Sequence, residues 1–304
     1  MLGKFTSVNY VYGKEGTALA SSALSDINLT IDDHVFLALV GETGSGKSTL
    51  VQHLNGLLLP TSGTVQVSHY LLKTEKKKKY YIDLDKEQGK HPKRKQFKVK
   101  DLRKFAGLVF QFPEYQLFEE TVLKDVMFGP LNFGMEEKKA EAIAKAALKL
   151  VGIGESYYSR SPFELSGGEK RRVAIAGIIA LEPKVLVLDE PTAGLDPKGE
   201  KEMMELFDKI YQSGKSIILV SHNMDLVLKY AHEVCVMNKG KLLKVSSPLE
   251  IFQDEEFLSS TAIEPPLVFK TALELKKAGL DLNLDNIKDI PSLAEEIRKA
   301  KKND

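Results

Sequence analysis

A run of nine residues, Gly41-Glu42-Thr43-Gly44-Ser45-Gly46-Lys47-Ser48-Thr49, has the makings of a phosphate cradle. A glycine, four residues, then Gly-Lys-Ser is the spacing such a loop needs. Its glycines let backbone N–H groups turn inward around phosphates. A helix begun at Ser48 would aim its positive end at them. Lys47 would reach the outer phosphates, and the Ser48 hydroxyl would ligate Mg²⁺. Far along the chain, Asp189 and Glu190 end the apolar run Val185-Leu186-Val187-Leu188. Neighbours at a strand end point to different sides, so the two carboxylates can hold different jobs. Asp189 suits the shell of the metal. Glu190 suits a general base that polarises attacking water.

Such groups need a scaffold that gathers positions 41–49 and 189–190 at one edge. Residues 5–12 and 24–31 alternate as strands do, and 35–40 reads as a buried strand. Residues 105–110 read as another strand. Runs 185–188 and 217–220 are short and fully apolar, as in a sheet covered on both faces. A helix is predicted over 48–58, followed by a turn at Pro60-Thr61-Ser62-Gly63. Segment 136–151 places Ala140, Ile143, Ala144, Ala147, Leu148 and Val151 at helical spacing, so it reads as amphipathic. Segment 169–181 reads as a buried helix. Asp196-Pro197 opens a further helix, with Asp as cap and Pro as first residue. A hairpin is predicted over 233–245 around Asn238-Lys239-Gly240. Beyond Ser247 the chain turns helical and polar, with Pro248, Pro265, Pro266 and Pro291 as breaks. A domain boundary near 247 is therefore expected, and no internal repeat is visible.

Bulk properties narrow the function classes. The 304 residues suffice for one large domain and a small appendage. No apolar run approaches the roughly 18 residues of a membrane span. Residues 1–7 lack the apolar stretch of a signal peptide. The single cysteine, Cys235, excludes an internal disulfide and fits a reducing cytosol. Charge is uneven. Positions 73–104 carry 14 Lys and Arg against 5 Asp and Glu, and the remainder carries 29 against 37. Lys76-Lys77-Lys78-Lys79, Tyr80-Tyr81 and Lys93-Arg94-Lys95 lie in that stretch. It reads as a solvated, mobile insertion over 72–98. Contact with anionic lipid is a second reading. The composition argues against nucleic-acid binding.

Leu165-Ser166-Gly167-Gly168-Glu169 resembles the LSGGQ signature of ABC-transporter ATPases, with Glu for the last Gln. Around it other parts of that family fall in order. Gln111 resembles the Q-loop glutamine, which also reaches the metal. Ala193-Gly194-Leu195-Asp196 resembles the D-loop. His222, after Ser221, resembles the switch histidine, and Tyr12 the aromatic that stacks on adenine. The resemblance covers about 5–246. It implies an α/β fold, a P-loop ABC nucleotide-binding domain. That fold has a RecA-like core, an antiparallel β subdomain and a helical signature subdomain over about 112–180. It implies domain bounds of 1–246, with a helical dimerisation extension over 247–304. It implies ATP and Mg²⁺ as ligands, and Gly41 to Thr49, Tyr12 and Ser166 to Glu169 as nucleotide contacts. Ser166, Gly167 and Gly168 precede a helix and offer a second anion-binding end. One cradle and one signature per chain imply that two chains meet head to tail around ATP.

The stretch 109–122, Val-Phe-Gln-Phe-Pro-Glu-Tyr-Gln-Leu-Phe-Glu-Glu-Thr-Val, resembles the ATPases of energy-coupling factor (ECF) transporters, importers of vitamins and transition-metal ions. Its wording looks like the second of their two paralogous ATPase types. That likeness implies a paralogous ATPase partner, an integral membrane T component and interchangeable substrate-binding S components. It places the chain on the cytoplasmic face of the cell membrane through those partners. Glu114, Glu119 and Glu120 among Phe112, Tyr115 and Phe118 suit a groove for a basic coupling helix. Charge reversal at Glu114 is thus expected to uncouple transport. Two alternatives are a soluble ABC ATPase working on nucleic acid or ribosomes, and an ATPase of another importer group. Only 54 residues separate Gln111 from Leu165, too few for the long coiled coil common in the first.

Overall fold

The computed structural model describes residues 1–13, 17, 20–75, 78–86, 98–261 and 263–303. The chain opens with β1 (Gly3–Tyr12) and β2 (Ser21–Ile31), then β3 (Phe36–Val40) and α1 (Lys47–Leu54). Next come β4 (Ser62–Val67), β5 (Tyr70–Glu75) and β6 (Lys78–Asp83). A middle section runs α2 (Val99–Phe105), β7 (Ala106–Val109), α3 (Val122–Asn132), α4 (Glu137–Leu150) and α5 (Gly167–Ile179). The main sheet is completed through β8 (Val185–Asp189), α6 (Pro197–Gln212), β9 (Ser216–Val220), α7 (Met224–Tyr230), β10 (Glu233–Asn238) and β11 (Lys241–Ser246). The chain finishes with α8 (Pro248–Gln253), α9 (Glu255–Ser259), α10 (Leu267–Lys277) and α11 (Ile290–Asn303).

Two sheets result. One is antiparallel, in the order β2-β1-β4-β5-β6. The other is ordered β11-β10-β3-β9-β8-β7, parallel except for the edge strand β11. Every residue of β3, β8 and β9 is buried, which explains their uninterrupted apolar text. Alternation then sorts the side chains. Leu186 and Leu188 join the core built with α3 to α6, while Val185 and Val187 face the antiparallel sheet and α1. On β3, Ala38 and Val40 enter a third core with Val234, Val236, Ile251, Phe252 and Phe269. Residues beyond 247 therefore add a layer to the main sheet and share its core.

That layer is launched by a capping box. Ser247 Oγ accepts from Glu250 N at 3.2 Å, and Glu250 Oε2 accepts from Ser247 N at 3.2 Å. Removing the cap by Ser247→Ala is expected to cost about 1 kcal/mol. A urea titration of the full chain would show it as a lower midpoint at unchanged slope.

Two expectations need correction. The helix predicted over 48–58 stops at Leu54, because Asn55 leaves the helical region and Gly56 takes φ +68°. The stretch 72–98 is not simply a loop. Lys76, Lys77 and 87–97, with Lys93, Arg94 and Lys95, lie outside the described residues. Of the rest, β5 and β6 extend the antiparallel sheet, pairing Leu72 with Tyr81. Leu72 and Ile82 are buried there. A lysine run on the exposed half of β6 hides this alternation. The helix α2 also escaped prediction, since its text is basic and only Leu102 is buried.

Candidate active site

Register in the main sheet decides where chemistry can occur. Leu39 of β3 pairs with Val220 of β9, and Val220 pairs with Asp189 of β8. The three strands end together, so the loops after them converge at the carboxyl edge of a parallel sheet. Positions 41–49, 189–190 and 221–222 leave from that edge.

The loop is shaped by close approach. A Cβ on Gly41 would lie 2.0 Å from the Met237 carbonyl, and one on Gly46 would lie 2.5 Å from the Ala23 carbonyl. Both residues also hold positive φ, +139° and +100°. α1 then starts at Lys47, one residue earlier than its predicted start at Ser48.

A cavity of about 630 Å³ opens above the loop. Tyr12, Thr43, Gly44, Gly46, Lys47, Ser48, Thr49, Gln111, Asp189, Glu190 and His222 line it. Gly41 and Glu42 instead line a neighbouring space with His222, Ile263 and Glu264. Ser45 is buried beneath the loop. Sequence reasoning missed Ser21, Ser22, Ala23 and Val220, which also line the cavity. They carry no motif; only the pairing of sheet and loop places them there.

Inside the cavity the polar groups are already paired or poised. Lys47 Nζ donates to the carbonyls of Gly41 at 2.7 Å and Glu42 at 2.8 Å. Burial holds its pKa below the usual lysine range, against the opposing pull of Glu190 and Asp189. Ser48 Oγ donates to Asp189 Oδ1 at 3.2 Å. Burial raises the Asp189 pKa, opposed by that hydrogen bond and by Lys47. Burial, and then Asp189, push the Glu190 carboxyl up to about 7. His222 Nε2 lies 3.4 Å from Glu190 Oε1. The contact lacks hydrogen-bond geometry, and among the described residues Oε1 is buried with no hydrogen-bond partner. Burial, then Lys47, lower the His222 pKa, so the ring is held toward its neutral form. Tyr12 stands 42% exposed, edge-on to Tyr10, with its hydroxyl 3.2 Å from Thr49 Oγ1.

These donors fit a magnesium ion. The Ser48 hydroxyl and Asp189 carboxylate are hard oxygen ligands at hydrogen-bond distance from each other. The unpartnered Glu190 oxygen beside them is placed for water.

Ser166, Gly167, Gly168 and Glu169 do not reach this cavity. They form the start of α5, where Ser166 Oγ donates to Glu169 Oε2 at 2.7 Å and the Ser166 N–H donates to the same oxygen at 2.8 Å. Those bonds, and one from Tyr157, hold the Glu169 carboxyl below its usual range. A Cβ on Gly167 or Gly168 would meet nothing within 4 Å. Among the described residues nothing packs close enough to require glycine at either position.

Glu114 contradicts the groove reading. It is only 15% exposed in its side chain and is spent on Arg171, whose Nη2 lies 2.8 Å from Oε1. Glu120 pairs with Lys124 at 2.7 Å. Tyr115 and Phe118 stand outward, at 85% and 56% exposure, as does the Glu120 side chain at 82%. Charge reversal at Glu114 would first strand a buried arginine.

The family model for ABC transporters matches residues 24–193. The chain is 49% identical over 294 residues to the energy-coupling factor transporter ATP-binding protein EcfA2 of Streptococcus pneumoniae, covering 97% of each. It is 48% identical to the EcfA2 protein of Spiroplasma kunkelii, over 96% of this chain and 90% of that one. This chain belongs to the ATP-binding subunits of energy-coupling factor transporters. Among solved structures, cbiO1 from Clostridium perfringens, part of the ABC transporter complex cbiONQ, superposes with a TM-score of 0.68 at 35% identity. It covers 91% of this chain and 97% of that one. The dimeric ATP-binding cassette MJ0796 bound to ADP and Pi gives 0.63 at 26%, covering 81% and 99%. The fold is accordingly that of an ABC nucleotide-binding domain, and the activity of this ECF subunit is ATP hydrolysis coupled to transport. ATP binding with Mg²⁺ is general to the family. Among the described residues no helix is long and apolar enough to cross a membrane.

Proposed function

We propose that the cavity over Lys47 is this subunit's own ATP site and that hydrolysis there needs a second ABC ATPase. The observation carrying the proposal is the separation of two anion-binding ends. Lys47, Ser48 and Asp189 share one cavity, whereas Ser166, Gly167 and Gly168 face open space elsewhere. Two chains placed head to tail would bring one end of each to a shared nucleotide. That MJ0796, a cassette of the same fold, is dimeric with ADP and Pi bound supports a paired state.

Roles follow from placement. The backbone N–H groups of 43–48 and the start of α1 take the phosphates, and Lys47 exchanges its two carbonyl contacts for phosphate oxygens. Ser48, Asp189 and Gln111 would hold Mg²⁺, which neutralises charge on the phosphate oxygens when bound. Glu190 orients the attacking water and accepts its proton as the new P–O bond forms and the bond to ADP breaks. His222 fixes the Glu190 carboxyl and the outer phosphate. Tyr12 offers its ring to adenine.

Partners are a paralogous ATPase, an integral membrane T component and membrane S components that choose the cargo, a vitamin or transition-metal ion. The exposed Tyr115 and Phe118 supply anchors for the T component. The chain then sits peripherally on the cytoplasmic face of the membrane. Affinity purification of the tagged chain from detergent-solubilised native membranes tests this. A second ABC ATPase and a polytopic membrane protein are the expected companions. Recovery with ribosomal proteins or nucleic acid, and no membrane protein, would replace the transporter reading.

A further inference from the structure

Arg171 stands in the second turn of α5 between Lys170 and Arg172, yet it is buried, at 3% exposure. Its guanidinium makes four contacts to two separate segments. Nε and Nη2 bind the two oxygens of Glu114 at 3.0 and 2.8 Å, the two-pronged geometry that arginine suits best. Nη1 donates to the carbonyls of Pro191 at 3.3 Å and Ala193 at 2.9 Å. Its Cζ also lies 5.7 Å from the centre of the Phe112 ring.

Both segments carry a residue in the left-handed region without being glycine. Phe112, directly after Gln111, has φ +56°, and Glu190 has φ +50°. Such backbone persists only where surrounding contacts over-determine it. Glu190 is held from one side by its N–H bond to the Val220 carbonyl at 3.1 Å and by the Ala193 N–H bond to its own carbonyl at 3.2 Å. Arg171 grips the same turn from the other side.

We propose that Arg171 is a positioning residue for Glu190, and that the Arg171–Glu114 pair makes the turn after Gln111 and the turn after Glu190 move as one body. The inference rests on the reading of Glu190 as the water-activating carboxylate. Its physical content is that the pair sits between the exposed aromatics Tyr115 and Phe118 and the hydrolysis site. A shift of the aromatic turn pulls Glu114, Glu114 carries Arg171, and Arg171 carries the carbonyls beside Glu190. A lysine at 171 would keep the charge but could not bridge a carboxylate and two carbonyls at once.

The test is Arg171→Lys in the purified complex, with kcat for ATP hydrolysis, ATP affinity by calorimetry and the melting temperature measured together. Expected is a kcat lower by about 10- to 100-fold, since small misplacement of a reacting group has that effect. ATP affinity should stay within about twofold, because no phosphate contact is touched. Glu114→Gln keeps the carbonyl contacts and should lower kcat by a smaller factor, about 3- to 10-fold. A kcat for Arg171→Lys within about twofold of the unmodified complex overturns the inference. So does a fall in kcat matched by an equal loss of ATP affinity. If Arg171→Lys does not fold, Glu114→Gln decides alone: full kcat overturns the inference, and reduced kcat with intact ATP binding upholds it. Glu190→Gln run beside them separates the two readings. Full hydrolysis in that variant removes the base itself, whereas its loss with unaffected Arg171→Lys removes only the link.

Discussion

Glu190→Gln lowers the hydrolysis rate at this site by about 10²- to 10⁴-fold while leaving ATP bound. The replacement keeps the shape of the side chain and its hydrogen-bonding oxygen, but an amide takes no proton from water. No phosphate contact is lost, since Lys47, Ser48 and Asp189, which line the same cavity, are unchanged. The nucleotide therefore persists between the two anion-binding ends and holds the ATPase pair closed. Size-exclusion chromatography with light scattering should show a variant pair stabilised by Mg-ATP and not by Mg-ADP. Phosphate release in single turnover should show the slow step as chemistry. Undiminished hydrolysis at this chain's own site would mean that the base lies elsewhere.

How much of this was readable from residues alone depends on whether a pattern is local. The phosphate loop is local: nine consecutive residues fix turn, helix start and ligands. The strands 185–188 and 217–220 are local too, because burial on both faces leaves only apolar letters. The β5–β6 hairpin was not readable. Its buried apolar positions, Leu72 and Ile82, stand beside Lys73, Lys78 and Lys79, which keep the outer edge soluble. Glu114 was misread for a different reason. A carboxylate among exposed aromatics suggests a surface groove, and its true partner stands 57 residues away on another helix. No local signal marked Arg171 as that partner, since it stands in the charged run Glu169-Lys170-Arg171-Arg172 ahead of the apolar text of 173–181. Ser21, Ser22 and Ala23 entered the cavity through sheet pairing, which no motif encodes.

Placement of the C-terminal layer shows why fold and site cannot be separated. Ala38 and Val40 of the strand that feeds the phosphate loop are packed on one side by α7 to α11. Leu37 and Leu39 are packed on the other by α1 and the antiparallel sheet. The loop thus starts from a strand clamped on both faces. Its own carbonyls and those of its neighbours do the rest, through Ser45 O to Gly240 N at 3.0 Å and the contacts of Lys47.

Acidification should destabilise the chain in part through a buried histidine next to that loop. His53, one turn after Thr49 in α1, is fully buried. Its Nδ1 lies 2.7 Å from the Thr49 carbonyl, so the neutral ring donates there. Among the described residues its Nε2 has no hydrogen-bond partner. A protonated ring would carry a buried N–H with no acceptor, and burial accordingly lowers the pKa to about 4 from 6.5, despite the Thr49 carbonyl favouring charge. The folded pKa lies below the unfolded one, so the unfolded chain binds the proton first. Stability from this group is complete above pH 6.5, falls between 6.5 and about 4, and is lost in full below that. The shift corresponds to about 3 kcal/mol. Carboxylates titrate in the same window, so the measurement is a comparison. Urea unfolding of the unmodified chain and of His53→Leu at pH 7 and at pH 4.5 should give a steeper loss for the unmodified chain. Equal pH slopes in the two proteins would show that His53 is protonated as readily folded as unfolded, and the burial argument would fail at that residue.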